Sequence, residues 1–489
     1  MTDADDLERG VPWDVVVVGG GIAGMVAAVG CAELGGQRVI VLESGSDPLY
    51  RCNSRYTGGA FHVCFHDVAE KPQALSQAIV EATDGFADPE LAVAVGSDAA
   101  AAVTWLRQQG VRFMRAGPDG WRQNFLAPPS LMQPGLHWQG RGGDVMLRTL
   151  LSRLQQFGGA QVLGARARKL LMEGDRCKGV EVELGGRRIE LQTPAVVLCD
   201  GGFQANLDLL REYVSPAPEK LKQRGAATGQ GDALLMARDA GAALAGMENI
   251  YGHLLCQDAL QDDKLWPYPI LDLISGASLV VDATGRRFMD EGLGGVYMTN
   301  CVARLTDPLS ATVVFDRAIW EGPATEFILP ANPHLVLAGG TVMTAATLGE
   351  LSAKLELPAG QLERTITEYN AAIESDQAGN LTPARTVAKT KPWPVKQAPF
   401  LAVRLAAGVT YTMGGIAIDE HGRVLDTALL PIPGLYASGC CTGGLDGGPA
   451  CGYVGGLTKS AVMSLRVAKA IARAREHSAA RPMAAAVSS

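Results

Sequence analysis

Residues 13–24 read WDVVVVGGGIAG. Val15 to Val18 is a short apolar run, Gly19, Gly21 and Gly24 fit G-x-G-x-x-G, and an Ala- and Val-rich segment follows to Leu34. The order is strand, glycine turn, helix. Gly19 permits the tight turn, Gly21 lets backbone N–H groups approach a pyrophosphate, and Gly24 lets the helix lie close on the strand. The helix N-terminus presents partial positive charge to phosphates. A second strand, Arg38 to Leu42, ends at Glu43, 19 residues after Gly24, where a carboxylate accepts hydrogen bonds from ribose hydroxyls. With 59 Gly in 489 residues, the glycine pattern alone is weak, and a turn without any ligand would also produce it. Strand, turn, helix, strand and acid at the expected spacing together select a dinucleotide site.

A length of 489 residues calls for two or more domains. The net charge of −8, with no long basic cluster, gives no reason to expect nucleic acid as a partner. Val15 to Ala32 is uncharged, but its glycines and its place in a strand–turn–helix unit argue against a membrane span. The first ten residues are acidic and lack a leader pattern. The ten cysteines are scattered, with no CxxC and no metal-ligand spacing, so no metal site is expected. Reduced thiols in the cytoplasm are the simplest reading.

Further along, residues 71–110 read as helical, with Asp88-Pro89 as a cap and first turn. Val180–Leu184 and Arg187–Leu191 flank Gly185-Gly186, a hairpin signal. Two more hairpins are expected, Leu279–Asp282 with Arg286–Met289, and Gly414–Asp419 with Arg423–Leu425. A final helix is expected from Leu457 to about Arg475. Met247 to about Ala407 differs in character, carrying many of the prolines and mixed helix and strand patterns.

These pieces resemble the flavoprotein family of fumarate reductases and succinate dehydrogenases, which includes tricarballylate dehydrogenases and 3-ketosteroid Δ1-dehydrogenases. The resemblance is carried by VVVVGGGIAG at 15–24, Glu43, NSRYTGG at 53–59, VVLCDGGF at 196–203 and TGQGDALLMARDAGA at 228–242. DATGRRFMDE at 282–291, YTMGGIAID at 411–419, GLYASG at 434–439 and Gly455-Gly456-Leu457 complete it. NSRYTGGA is most similar to the tricarballylate dehydrogenase branch. The resemblance implies an α/β fold with FAD as cofactor. It implies a Rossmann-like FAD-binding domain of the glutathione-reductase type at 1–246 and 408–489, with an inserted α+β capping domain at 247–407. It further implies that Gly19, Gly21, Ile22, Ala23 and Gly24 hold the pyrophosphate, and that Glu43 and Ser44 hold the adenosine. Asn53, Ser54, Thr57, Gly58 and Gly59 would wrap pyrophosphate and flavin, with Ala167, Asp200, Gly201 and Gly202 passing close. Gly439, Cys440, Gly456 and Leu457 would lie along the isoalloxazine. The last helix would aim its N-terminus at the ring, stabilising reduced flavin.

The sequence also departs from the fumarate reductases. No arginine occurs between Glu291 and Arg304, Tyr411 stands where the family has a histidine, and Tyr453 stands where it has an arginine. A dicarboxylate needs cationic, preferably bidentate partners, so succinate or fumarate chemistry is not expected. Tyr453 resembles the ketone-polarising tyrosine of the ketosteroid dehydrogenases. Tyr297 falls within two residues of their tyrosine base, though it could equally pack within the cap. Tyr411, the third candidate catalytic residue, also reads as a pocket wall. A tyrosine with an ordinary pKa near 10 needs a polar or cationic setting to act as base. The implied activity is dehydrogenation α,β to a carbonyl or carboxyl group of a small-molecule substrate, with hydride passing to flavin and a separate electron acceptor or donor. Alternatives are reduction of an enone or enoate, and a catalytically silent flavin-binding partner protein.

Overall fold

The computed structural model describes residues 12–486; residues 1–11, which include the acidic start, and 487–489 lie outside the described residues. The strands that build the fold are β1 (Val15–Val18), β2 (Val39–Glu43), β3 (Ala160–Leu163), β4 (Ala165–Glu173), β5 (Arg176–Leu184), β6 (Arg187–Gln192) and β7 (Ala195–Leu198). They continue as β8 (Lys222–Gln223), β9 (Ile250–Cys256), β10 (Leu279–Val281), β11 (Thr312–Asp316), β12 (Met343–Ala345), β13 (Phe400–Thr412), β14 (Arg423–Leu425) and β15 (Pro431–Ala437). The main helices are α1 (Ile22–Gly35), α2 (Pro72–Ala82), α3 (Pro89–Gln108), α4 (Gly142–Gln156), α5 (Asp232–Asp239), α6 (Asp272–Ala277), α7 (Gly295–Ala303), α8 (Leu348–Lys354), α9 (Gln361–Glu374) and α10 (Gly456–Ala486).

One sheet has the order β14-β15-β7-β1-β2-β3. All its pairings are parallel except β14–β15. β1, β2 and β7 are buried at every residue, as expected of parallel strands covered on both faces. α1 packs against α10, and a Cβ on Gly30 would lie 3.0 Å from the Ala468 Cβ. Gly24 is required by closeness, since a Cβ there would sit 1.9 Å from the Gly19 carbonyl oxygen. β4, β5 and β6 form an antiparallel sheet. The expected hairpin at Gly185-Gly186 is present, both glycines having positive φ (57° and 77°), the backbone of a two-residue primed turn. Asp88 caps α3 by accepting from the Glu90 and Leu91 N–H groups.

The second large sheet runs β8-β13-β11-β10, with β9 and β12 also pairing with β13. β13 continues through residue 407 to Thr412. The hairpin expected at 279–289 does not form as a ladder. β10 pairs with β11, and a single bridge joins Val281 to Arg287. The cause is Arg287, whose guanidinium turns inward to Glu291 and the carbonyls of Met289, Pro383 and Ala384. Residues 415–416 likewise pair with 244–245, and only the Ile418–Val424 bridge remains of the third hairpin. α10 begins at Gly456 and runs beyond Arg475 to Ala486. Among the described residues, no helix is long and apolar enough to cross a membrane.

Candidate active site

The β1–α1 turn and the end of β2 are tied together. The Gly20 N–H donates to Glu43 Oε2 (2.9 Å), the Gly45 N–H donates to Oε1 (2.7 Å), and the Tyr50 hydroxyl donates to the Gly20 carbonyl (2.6 Å). Burial pushes the Glu43 carboxyl up, and the two N–H groups pull it back. Ser44 adds a long contact from its hydroxyl to Glu43 Oε1 (3.4 Å). At the start of α1 the Ile22 N–H donates to Ser54 Oγ (2.9 Å), so Ser54 occupies the place where the helix offers its positive end. Ala23 packs beneath Gly439, whose added Cβ would lie 2.7 Å from the Ala23 Cβ. Asn53 bridges onward: its Oδ1 accepts from the Ala226 N–H and its Nδ2 donates to the Thr410 carbonyl, both at 2.7 Å. Thr57 Oγ1 accepts from the Gly59 N–H (3.1 Å). Ala167 is buried on β4 beside a bulge and has only its main chain to offer. Asp200 Oδ2 accepts from the Ala233 N–H in the first turn of α5 (2.8 Å).

These residues fit an FAD. The glycines expected along the cofactor open onto space rather than onto protein. An added Cβ at Gly201 would meet nothing within 4 Å, at Gly58 only Tyr268 Oη at 3.9 Å, and at Gly21 only Ser54 Oγ at 3.3 Å. Two buried polar atoms of the same region, Asp200 Oδ1 and Thr458 Oγ1, have no partner in the protein. Gly202 differs, being tight against Thr412 Oγ1 (2.2 Å to an added Cβ). Leu457 and Thr458 follow Gly456 in the first turn of α10, so their orphan N–H groups face the end of that space. Burial raises the Cys440 thiol to about 11, so it stays protonated at neutral pH and offers its backbone.

At the same end, beside Gly456, lies an aromatic cluster. The Gly456 N–H donates to the Tyr453 hydroxyl oxygen (3.3 Å), and the Tyr453 hydroxyl in turn is hydrogen-bonded to that of Tyr251. Tyr453 stacks on Tyr251 (centroids 4.0 Å apart, 18° between planes) and meets His62 edge-on at 5.5 Å. Tyr251 also touches Tyr411 at 5.2 Å. Tyr251 and Tyr453 are half-buried, whereas Tyr411 is buried. The Tyr411 hydroxyl faces Asp446 Oδ2 (3.4 Å), and Asp446 is paired with the Lys459 ammonium in a site buried on all sides. Tyr411 is thus a wall of the pocket, its hydroxyl already occupied. Tyr297 lies on α7, its hydroxyl against Cys301 and raised in pKa mainly by burial. Among the described residues, no ring contact joins Tyr297 to the cluster. Arg304 is fastened to Asn249 Oδ1 (2.7 Å) and the Glu248 carbonyl.

The sequence did not single out four groups that the fold brings here, Tyr251, His253, Asp272 and Arg224. His253 Nδ1 lies 2.6 Å from Asp272 Oδ2, and its Nε2 lies 3.2 Å from the Tyr251 hydroxyl. Arg224 is buried, donates to the Pro267 carbonyl (3.2 and 3.1 Å) and Thr410 Oγ1 (2.8 Å), and has no salt bridge among the described residues. The alternation Tyr251–Gly252–His253 on a strand hints that both rings share a face, but the partners of that face come from elsewhere in the chain.

Residues 14–452 match the family described as FAD binding domain. Among curated relatives, NADH:fumarate oxidoreductase of Klebsiella pneumoniae is 26% identical over 451 residues, 89% of this chain but 45% of the relative, so the chain spans about half that protein's length. Vinyl phenol reductase of Lactiplantibacillus plantarum is 26% identical over 475 residues, covering 89% of this chain and 91% of the relative. The structure of 3-ketosteroid Δ1-dehydrogenase from Sterolibacterium denitrificans superposes with a TM-score of 0.72 at 20% identity, over 95% of this chain and 100% of that one. Together with the motifs along 14–452, these findings place the chain in the FAD-dependent fumarate reductase and succinate dehydrogenase flavoprotein family.

Proposed function

We propose that this chain is an FAD-dependent oxidoreductase that dehydrogenates a CH–CH bond next to a carbonyl group of a small molecule. The observation that carries this reading is the Tyr453 hydroxyl, fixed by the Gly456 N–H at the start of α10 and hydrogen-bonded to Tyr251, a bond whose proton a substrate ketone would take over. That proton, beside the positive end of a helix, is the group a ketone oxygen needs as negative charge develops on it. FAD, when bound, supplies the hydride acceptor. Gly19 to Gly24 and Ser54 hold its pyrophosphate, Glu43 its ribose, and Gly58, Gly201 and Gly439 to Leu457 leave room for its ring. Residues 247–407 act as a cap, and substrate is held between them and the rest of the chain. A separate electron acceptor reoxidises the flavin. The ten free cysteines suit a cytoplasmic setting.

The test is anaerobic mixing of the flavin-loaded protein with saturated cyclic ketones, bicyclic ketones and tricarboxylates. Bleaching of the oxidised flavin by a ketone is the expected result. Reoxidation of pre-reduced flavin by an enone, with no bleaching by any saturated compound, would instead identify a reductase. Tyr453→Phe removes one donor to the oxyanion and should lower the bleaching rate about 10²- to 10³-fold with flavin still bound. An unchanged rate would remove Tyr453 from the chemistry.

A further inference from the structure

The α-carbon of a ketone held at Tyr453 lies next to the carbonyl oxygen, so the group that removes its proton must sit beside the Tyr453 hydroxyl. Tyr251 does: its hydroxyl is hydrogen-bonded to that of Tyr453, and the two rings stack with centroids 4.0 Å apart. We propose that Tyr251 is the acid–base residue of this site, and that Asp272 and His253 position it and take up its proton. The proposal rests on the reading above.

The hydrogen bonds assign the protons. His253 Nδ1 is 2.6 Å from a carboxylate oxygen, so Nδ1 carries hydrogen. Nε2 then presents a lone pair to the Tyr251 hydroxyl at 3.2 Å. Asp272 is held in turn. Its Oδ1 accepts from the Leu254 N–H (2.9 Å), and its Oδ2 occupies space that only a glycine at 295 leaves open, since a Cβ there would lie 1.8 Å away. Gly295 begins α7, so the carboxylate sits at the positive end of that helix. The ionisable groups facing Tyr251 and His253 are Arg224, Asp272, Tyr268, Tyr411 and Tyr453. Burial lowers the His253 pKa, Arg224 lowers it further and Asp272 opposes both, which leaves the imidazole neutral and able to accept.

Burial also raises the Tyr251 phenol, with Arg224 opposing it. A standing phenolate is therefore not the resting form, and the proton must leave as another arrives. The Cα–H bond breaks and its proton joins Tyr251 Oη while the Oη–H proton moves to His253 Nε2. The electron pair of the broken bond becomes the enolate, whose oxygen accepts from Tyr453, and the imidazolium formed is balanced by Asp272. A bound FAD would supply the acceptor for the β-hydride. Run in reverse, the same chain delivers a proton to the α-carbon.

The experiment uses flavin-loaded protein, without oxygen, in deuterium oxide, with cyclohexanone and decalone as probes. Flavin bleaching and deuterium incorporation at the α-carbon are both followed. Wild type should do both, and Tyr251→Phe should slow incorporation and bleaching at least about 10²-fold. Incorporation at the wild-type rate in Tyr251→Phe overturns the proposal and leaves the proposed function standing. A wild type that neither bleaches nor incorporates overturns both. His253→Gln should abolish the acidic limb of the incorporation rate against pH, and a retained limb overturns the relay even if Tyr251→Phe fails to fold. In the protein without substrate, the wild type should show a downfield imidazole N–H proton resonance that Asp272→Asn removes, and its persistence in Asp272→Asn refutes the His253–Asp272 assignment.

Discussion

Lys459→Met tests the frame that holds the tyrosines. The Lys459 side chain is 4% exposed and its partner Asp446 is 0% exposed. Asp446 Oδ1 accepts from the Val454 N–H (2.8 Å), one residue beyond Tyr453, and Oδ2 faces the Tyr411 hydroxyl (3.4 Å). The ammonium also lies 5.4 Å from the Tyr411 ring centroid. Burial alone would lower the Lys459 pKa, but Asp446 outweighs it and the net direction is up. Methionine keeps most of the stem and removes the charge, so the change strands a buried carboxylate. Breaking such a pair costs about 3–5 kcal/mol. Unfolding entropy of about 2.1 cal/mol/K per residue comes to about 1 kcal/mol per K over this chain. The expected loss in Tm is therefore about 3–5 °C. Scanning calorimetry of the flavin-free and flavin-loaded protein measures it. The double variant Asp446→Asn with Lys459→Met keeps an acceptor for Val454 and removes the stranded charge, so it should regain at least half of the loss. A Lys459→Met protein within 1 °C of wild type, or a double variant less stable than the single one, would refute the reasoning.

His62 is buried, its Nδ1 accepts from the Phe65 N–H (3.0 Å), and burial lowers its pKa to about 4. A histidine whose folded pKa lies below its unfolded value of about 6.5 lends stability that is present above pH 6.5 and lost as pH falls through about 4, here about 3 kcal/mol. Thermal melts from pH 7 to 4 should show the gap between wild type and His62→Gln closing as pH falls; a constant gap refutes this. Two glycine substitutions separate folding from cofactor binding. Gly24→Ala meets the Gly19 carbonyl at 1.9 Å, and overpacking of this kind costs about 1–3 kcal/mol or more, so the apoprotein should melt lower. Gly58→Val meets no protein atom nearer than 3.9 Å at its Cβ, so the apoprotein should melt as wild type while flavin absorbance per mole of protein falls sharply. Full flavin content in Gly58→Val would show that the cofactor does not pass there.

The cofactor end was legible because its contacts are local or follow a fixed spacing. Gly24, Glu43 and the Gly185-Gly186 turn each act through neighbours in the β–α–β unit or hairpin that contains them. The substrate end was not, because its pairs are made by tertiary structure. Asp272 reaches His253 only because α6 starts beside β9 and Gly295 leaves a space. Asp446 reaches Lys459 across a glycine-rich loop whose path no periodicity encodes. Tyr297 stood out from its place in a motif, but α7 directs its hydroxyl to Cys301. The DATGRR segment looked like a hairpin because a turn sequence lay between two β-prone runs. The buried charge of Arg287 outcompeted the ladder by finding Glu291 and three carbonyls.

One irregularity connects the two ends. The β9–β13 register pairs Tyr251 with Tyr411 and Gly252 with Val409, so Thr410 is the extra residue of a bulge. A bulge frees backbone and re-aims side chains. The freed Thr410 carbonyl accepts from Asn53, on the loop proposed to wrap the cofactor, and the Thr410 Oγ1 accepts from Arg224. The same bulge sets Tyr251 beside Tyr411 and Tyr453. Gly252 is what allows it, because a Cβ there would lie 2.0 Å from the Gly408 carbonyl oxygen. Any larger residue at 252 must push β9 away from β13, moving Tyr251 off Tyr453 while leaving the β1–α1 phosphate turn untouched. Because Asn53 is bonded to the same bulge, the Asn53 loop and the tyrosine cluster are coupled through a single glycine on β9.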